Sequence, residues 1–202
     1  MIFFISDTHF GHRNIIKHCS RPYETVEEMD EGLIEKWNRK VGKLDTVYII
    51  GDFVWNKSKV PYYAERLKGK KILIAGNHDE TWTRKKGHPN FSCFEEVADY
   101  KFERANNHSL TLCHYPMVEW RNSRKEDAPY IGYMIHGHVH NNYSDEYRYM
   151  LRHHNALNAG ADVNNFEPVT FEEMIENNLR FKLSVLNEED AAYLLNSIEG
   201  NK

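Results

Sequence analysis

Five short polar clusters break the chain, each built from side chains that bind cations: Asp7-x-His9, Gly51-Asp52, Gly76-Asn77-His78-Asp79, a lone His114, and Gly137-His138-x-His140. Of the 12 histidines, several gather in these clusters beside Gly, Asp and Asn instead of scattering along polar faces, which points to metal binding. Carboxylate oxygens and imidazole nitrogens together suit Mn, Fe, Zn or Ni. A pair of such cations about 3.5–4 Å apart requires a bridging carboxylate, and it lowers the pKa of bound water from near 16 toward about 7. Asp52 is the natural bridge. Cys19, Cys93 and Cys113 are odd in number and form no CxxC pair, which argues against a disulfide framework and against a zinc ribbon.

Each cluster follows an apolar run that reads as a strand. Ile2 to Ser6, Thr46 to Ile50 and Lys71 to Ala75 deliver the first three clusters, Ser109 to Cys113 leads into His114, and Tyr133 to Ile135 leads into the last. Between the strands, the spacing of Val26, Met29, Leu33, Ile34, Trp37 and Val41 predicts a helix over Thr25 to Val41, with Thr25 as N-cap. Shorter helices are expected over Asn14 to His18 and near Pro61 to Leu67. Strand–helix alternation implies parallel pairing through right-handed crossovers, which places a ligand beyond the carboxyl ends of the strands. Near the C-terminus, Thr170 and Glu173 have capping-box spacing for a helix to Asn177, Phe181 to Leu186 alternates like a strand, and Glu188 to Ile198 reads as a terminal helix. A length of 202 residues with 41% hydrophobic content leads us to expect one domain over residues 1–202.

Taken in order, the five clusters resemble the calcineurin-like metallophosphoesterase family, whose pattern is DxH, GD, GNH followed by D or E, a lone H, and GHxH. The match runs from Asp7 to His140. It implies an α/β fold, a four-layer α-β-β-α sandwich with mixed sheets, and hydrolysis of a phosphate ester by a hydroxide bridging two divalent transition metal ions, Mn2+ foremost. By resemblance, Asp7, His9, Asp52 and His140 hold the first ion, and Asp52, Asn77, His114 and His138 the second. Two dications, less two carboxylates and one hydroxide, leave about one positive charge to draw in an anionic phosphate. The family's counterpart of His78 lies near the scissile phosphate, so His78 is the expected catalytic group, stabilising equatorial oxygens or protonating the leaving alkoxide. Asp79 is expected to orient it and favour its charged form. Where protein Ser/Thr phosphatases of the superfamily carry GDxxDRG, this chain reads Gly51-Asp52-Phe53-Val54-Trp55-Asn56. That departure points toward the compact phosphodiesterase-like members seen in bacteria and phages.

Around the clusters, His12 and Arg13 are candidates for substrate contact, though a local hydrogen-bonding role for His12 is an equal alternative. His136 reads as a core histidine or a support for a ligand. His153 and His154 read as a solvated polar patch, and Arg121 and Arg124 as members of a charged loop. Trp55, Trp82 and Trp120 follow motif loops and either pack in the core or stack on a substrate ring. A net charge of -4 and a pI near 6.3 give no field to draw the protein onto long duplex nucleic acid or an anionic membrane. The opening apolar run ends at Ile5 without a basic segment before it, too short for a signal peptide or a span, so a cytoplasmic protein is expected. The substrate expected is a small phosphodiester or nucleotide. Nuclease-type activity on nucleic-acid ends, and a non-catalytic protein-binding scaffold like the retromer subunit of this fold, stay open as alternatives, as does the oligomeric state.

Overall fold

The computed structural model describes residues 1–105, 108–123 and 131–199. Two four-stranded sheets face each other. The first is wholly parallel, in the order β1 (Ile2–Ile5), β2 (Thr46–Ile49), β3 (Lys70–Ile74), β4 (Glu96–Ala98). The second runs β5 (Tyr100–Ala105), β6 (His108–Cys113), β7 (Gly132–His136), β8 (Ala156–Asn158); only β5 is antiparallel to its neighbour. The expected α/β sandwich is therefore present, with the mixing of strand directions confined to the second sheet. Bridges from Phe4 to Val169 and from Ser6 to Gly160 tie the chain after β8 back onto β1.

Alternation along the strands sorts the core into layers. Phe3, Ile5, Val47, Ile49 and Leu73 face outward from the first sheet and are buried with Met29, Leu33 and Trp37 of α2 (Val26–Lys40) and Val60 of α3 (Val60–Arg66). Their neighbours Phe4, Tyr48, Ile50 and Ile74 point the other way, against Leu110, Leu112, Ile135 and Leu157 of the second sheet. On the far side, Met134 and Ala156 pack with Trp120 and with Met150 of α5 (Arg148–Arg152). Two short helices, α1 (Arg13–His18) and α4 (Glu80–Thr83), follow the loops after β1 and β3. Thr25 caps α2 as expected, its side chain accepting from the Glu28 amide at 3.1 Å.

The C-terminal third departs from expectation. Phe181 to Leu186 is not a strand: α6 starts at its Thr170–Glu173 capping box and runs Phe171–Val185. Its buried stripe is Phe171, Met174, Asn178 and Lys182, spaced by three or four, so two of the four inward positions are polar. They are inside because the backbone of β8 and of the turn before it needs partners: Asn178 Nδ2 donates to Asn158 O at 2.9 Å, and Lys182 Nζ to His153 O at 2.7 Å and to Ala156 O. The last helix, α7 (Glu188–Glu199), covers this region. His153 and His154 are accordingly half-buried rather than solvated, with His154 Nδ1 3.1 Å from Ser197 Oγ. Among the described residues, no helix is long and apolar enough to cross a membrane.

Candidate metal centre

Every nominated ligand lies just beyond the carboxyl end of a strand. Asp7 and His9 follow β1, Asp52 follows β2, Asn77 and His78 follow β3, His114 follows β6, and His138 and His140 follow β7. At five of these positions the backbone enters the left-handed region: φ is 55° at Asp7, 50° at His9, 53° at Asp52, 70° at His138 and 50° at His140. Non-glycine residues avoid this region, so its repeated use marks loops whose conformation is imposed by their neighbours. The loops hold one another: Asp7 N donates to Gly51 O, His9 N to Asp52 O and Gly137 N to His114 O, each at 3.0 Å. Such close approach explains two glycines of the motif. A Cβ at Gly51 would sit 2.3 Å from His114 Nδ1, and one at Gly137 would sit 1.9 Å from Ser6 Oγ and 2.4 Å from Asp7 Oδ2.

Asp52 occupies the centre. Its Oδ2 is 3.5 Å from His9 Nε2, 3.5 Å from His114 Nε2 and 3.8 Å from His78 Nε2. Asp7 Oδ1 lies 3.9 Å from His9 Nε2 and 3.7 Å from His140 Nε2. On the other side, Asn77 Oδ1 is 3.1 Å from both His114 Nε2 and His138 Nδ1. Ligands about 2.0–2.2 Å from a common cation stand roughly 2.8–3.6 Å apart in octahedral or tetrahedral arrangements. The observed separations match that spacing or slightly exceed it.

The polar inventory also fits a cation. Both ring nitrogens of His9 are buried, and neither has a hydrogen-bond partner among the described residues. Orphans of this kind are rare in protein interiors and call for an explanation such as an ion. Burial, and then the positive neighbours His140 and Arg21, holds His9 well below its usual pKa, so its lone pair is free for a ligand. Burial pushes the Asp52 carboxyl up; His114 opposes this and Asp7 adds to it. A cation beside both carboxylates would relieve that burial penalty. At His140 burial lowers the pKa, but hydrogen bonding to Asp162 and the charges of Asp7 and Asp162 outweigh it and raise it to about 10. A field that favours a proton on Nε2 also favours a metal ion in its place.

Two supporting residues escaped the sequence reading. Asp162 Oδ2 accepts from His140 Nδ1 at 2.9 Å, which leaves Nε2 as the free lone pair facing Asp7. Arg21, fully buried, donates to Asp162 through Nε at 2.8 Å and Nη2 at 3.0 Å, to Thr8 O at 3.0 Å and to Asp7 O at 2.6 Å. Burial alone would raise the Asp162 carboxyl; His140 and Arg21 hold it below its usual value. Neither residue stands in one of the five clusters, and the two are 141 positions apart.

Asp79 requires a correction. Its carboxylate does not orient His78; Oδ2 accepts from the amides of Asp52 at 2.8 Å and Gly76 at 3.0 Å, and Oδ1 from Phe53 at 3.3 Å. Burial pushes it up to about 7, Gly76 opposing and Asp52 adding. It fastens the second and third ligand loops together. His78 is half-buried; its amide donates to Asp52 Oδ1 at 2.9 Å and its ring faces Oδ2 of the same residue. His12 reaches the cluster, with its ring 5.3 Å from that of His9, while Arg13 is exposed on the first turn of α1 without a hydrogen bond or ion pair to another described residue. Burial lowers His12 to about 4. His136 is buried in β7, its Nδ1 3.0 Å from Gly137 O, and burial lowers it to about 4. Arg121 lies over the Phe102 ring, away from the cluster, and Arg124 falls outside the described residues.

Residues 1–167 match the family model described as the calcineurin-like phosphoesterase superfamily domain. An uncharacterized protein of Methanocaldococcus jannaschii is 34% identical over 178 residues, covering 87% of this chain and 89% of that protein. The gene 66 protein of Mycobacterium phage L5 is 30% identical over 163 residues, covering 68% of this chain and 76% of its own. The crystal structure of a protein of unknown function from Aquifex aeolicus superposes with a TM-score of 0.63 at 27% identity, covering 87% of this chain and 98% of that one.

Proposed function

This chain belongs to the calcineurin-like phosphoesterase superfamily, and we propose that it is a dinuclear metal-dependent phosphodiesterase acting on a small phosphodiester or nucleotide. The reading rests above all on one observation: the buried Asp52 carboxylate lies within 3.8 Å of three imidazole nitrogens, and one of those imidazoles, His9, has no hydrogen-bond partner among the described residues for either nitrogen. Asp7, His9, Asp52 and His140 would hold one divalent cation, and Asp52, Asn77, His114 and His138 the other. Asn77 adds an oxygen without adding charge, so the pocket stays net positive toward phosphate. Mn, Fe, Zn and Ni all suit this donor set, with Mn2+ our first choice. When bound, the cations supply Lewis-acid charge for the phosphate oxygens and acidify a water so that it can act as nucleophile near neutral pH.

The chain's own groups do the rest. His78, at the open edge of the cluster, donates a proton to the ester oxygen as water oxygen bonds to phosphorus and the P–O ester bond breaks, releasing an alcohol and a phosphomonoester that returns one of the water's protons to His78. Its amide bond to Asp52 fixes the carboxylate that both ligand sets share. Asp79, Asp162 and Arg21 keep loops and rings in place. The test is hydrolysis of an aryl phosphodiester by protein stripped of metal and reloaded with Mn, Fe, Zn or Ni, beside Asp52→Asn. Metal-dependent turnover that Asp52→Asn abolishes is expected. No turnover with any of the four metals would favour the scaffold alternative, and an active Asp52→Asn would remove the bridging role.

A further inference from the structure

None of the roles above uses the stacked pair His12 and Trp55. Their ring centroids are 3.8 Å apart and their planes differ by 8°. Trp55 also lies 4.9 Å from the His78 ring. Of the chain's 4 tryptophans, Trp37, Trp82 and Trp120 are buried, whereas Trp55 is 48% exposed. Because His12 covers one indole face, the exposed area belongs to the opposite face and the edges. The His12 stack sets the plane of the ring, and the backbone beneath it is anchored: Trp55 N donates to Phe10 O at 3.0 Å, and Phe10 and Val54 form a bridge that ties the His9 loop to the Asp52 loop. The result is a flat, pre-set aromatic surface, half in water, one ring away from the residue expected to meet the ester oxygen. Across the cluster stands a second exposed ring, Tyr115, 42% exposed and edge-on to His114 at 5.3 Å and His138 at 4.8 Å.

We propose that Trp55, backed by His12, is the platform on which the base of a nucleotide ester stacks while its phosphate lies at the Asp52 cluster. The inference rests on the phosphoesterase reading and narrows its substrate to small phosphodiesters carrying at least one nucleoside. A sugar is the spacer such a ligand needs between phosphate and ring. Every base has a π-face, so the platform selects nucleosides over ring-free esters with little choice among bases. A substrate of nucleotide size also agrees with a net charge of -4, which provides no field to track a longer polyanion.

The experiment titrates metal-loaded protein with adenosine 5′-monophosphate and with glycerol phosphate, followed by tryptophan fluorescence and calorimetry. With the other three indoles buried, long-wavelength emission reports Trp55. The nucleotide should quench it and bind roughly 5- to 150-fold more tightly than glycerol phosphate. Trp55→Leu should abolish the quench and most of that preference, and Trp55→Phe should keep the preference. In turnover, the kcat/KM ratio between the methyl ester of a nucleoside 5′-phosphate and that of glycerol phosphate should fall at least fivefold in Trp55→Leu. Equal affinity of the parent for the two phosphates, or parallel losses for both in Trp55→Leu, would overturn the platform. If the parent hydrolyses neither diester the phosphoesterase reading fails, while the quenching comparison still decides the platform.

Discussion

Replacing Asp162 by asparagine keeps the side chain's shape but sets a donor where only acceptors fit. Asp162 receives three N–H groups, from Arg21 Nε at 2.8 Å, Arg21 Nη2 at 3.0 Å and His140 Nδ1 at 2.9 Å. An amide NH2 turned toward Arg21 meets a guanidinium that has no acceptor; turned toward His140, it moves the ring proton to Nε2 and blocks the lone pair facing Asp7. Arg21 is fully buried, so removing its countercharge should cost about 3–5 kcal/mol of stability. For a chain of this size that is roughly 6–20 °C in Tm. Metal affinity should fall about 10- to 100-fold at the site that uses His140. The assay is a thermal melt of the metal-free protein together with calorimetric titration of Mn2+. Two separable results are expected: a lower melting temperature without metal, and weakened binding at one of two sites, with the Asn77, His114 and His138 site changed by less than about threefold. Equal weakening of both sites, or no change in either melt or affinity, would refute the support role.

His78→Ala should retain both metal ions, as read by elemental analysis, yet lose most turnover on diesters with poor leaving groups and far less on those with good ones; loss of metal would show that His78 is a ligand instead. The buried Lys182 supplies a pH test away from the metal site. Burial lowers its pKa to about 7, below the usual 10.4 or so of an unfolded lysine. The unfolded chain therefore binds more protons between these values, and stability should rise with pH from about 7 to 10 by up to about 1.4 kcal/mol per unit. Urea melts at pH 7 and pH 9 should show this rise in the parent and not in Lys182→Met, and equal pH dependence in both would contradict it.

The metal-ligand candidates were legible because each donor directly follows a short apolar run, and a parallel strand can end only where the next loop begins. Asp7, Asp52 and Asn77 are thus placed by β1, β2 and β3 without knowledge of any contact between them. Residues acting across the fold were not legible. Asp79 sits next to His78 in sequence, but its partners are amides up to 27 positions away, and adjacency said nothing of that. Arg21 and Asp162 meet across 141 positions. The helix α6 misled for another reason. Its inward face carries Asn178 and Lys182, whose hydrogen bonds to β8 carbonyls replace apolar packing, so the hydrophobic period fades where the helix is most buried.

If the Asp52 carboxylate is shared by two cations, the number of ions bound per chain will show it. Protein stripped and reloaded with Mn2+, then freed of unbound ion, should carry about two ions per chain, and Asp52→Asn at the same free metal should lose both together. A parent that holds one ion or none under loading with Mn, Fe, Zn or Ni, or an Asp52→Asn that still holds two, would rule out the shared carboxylate.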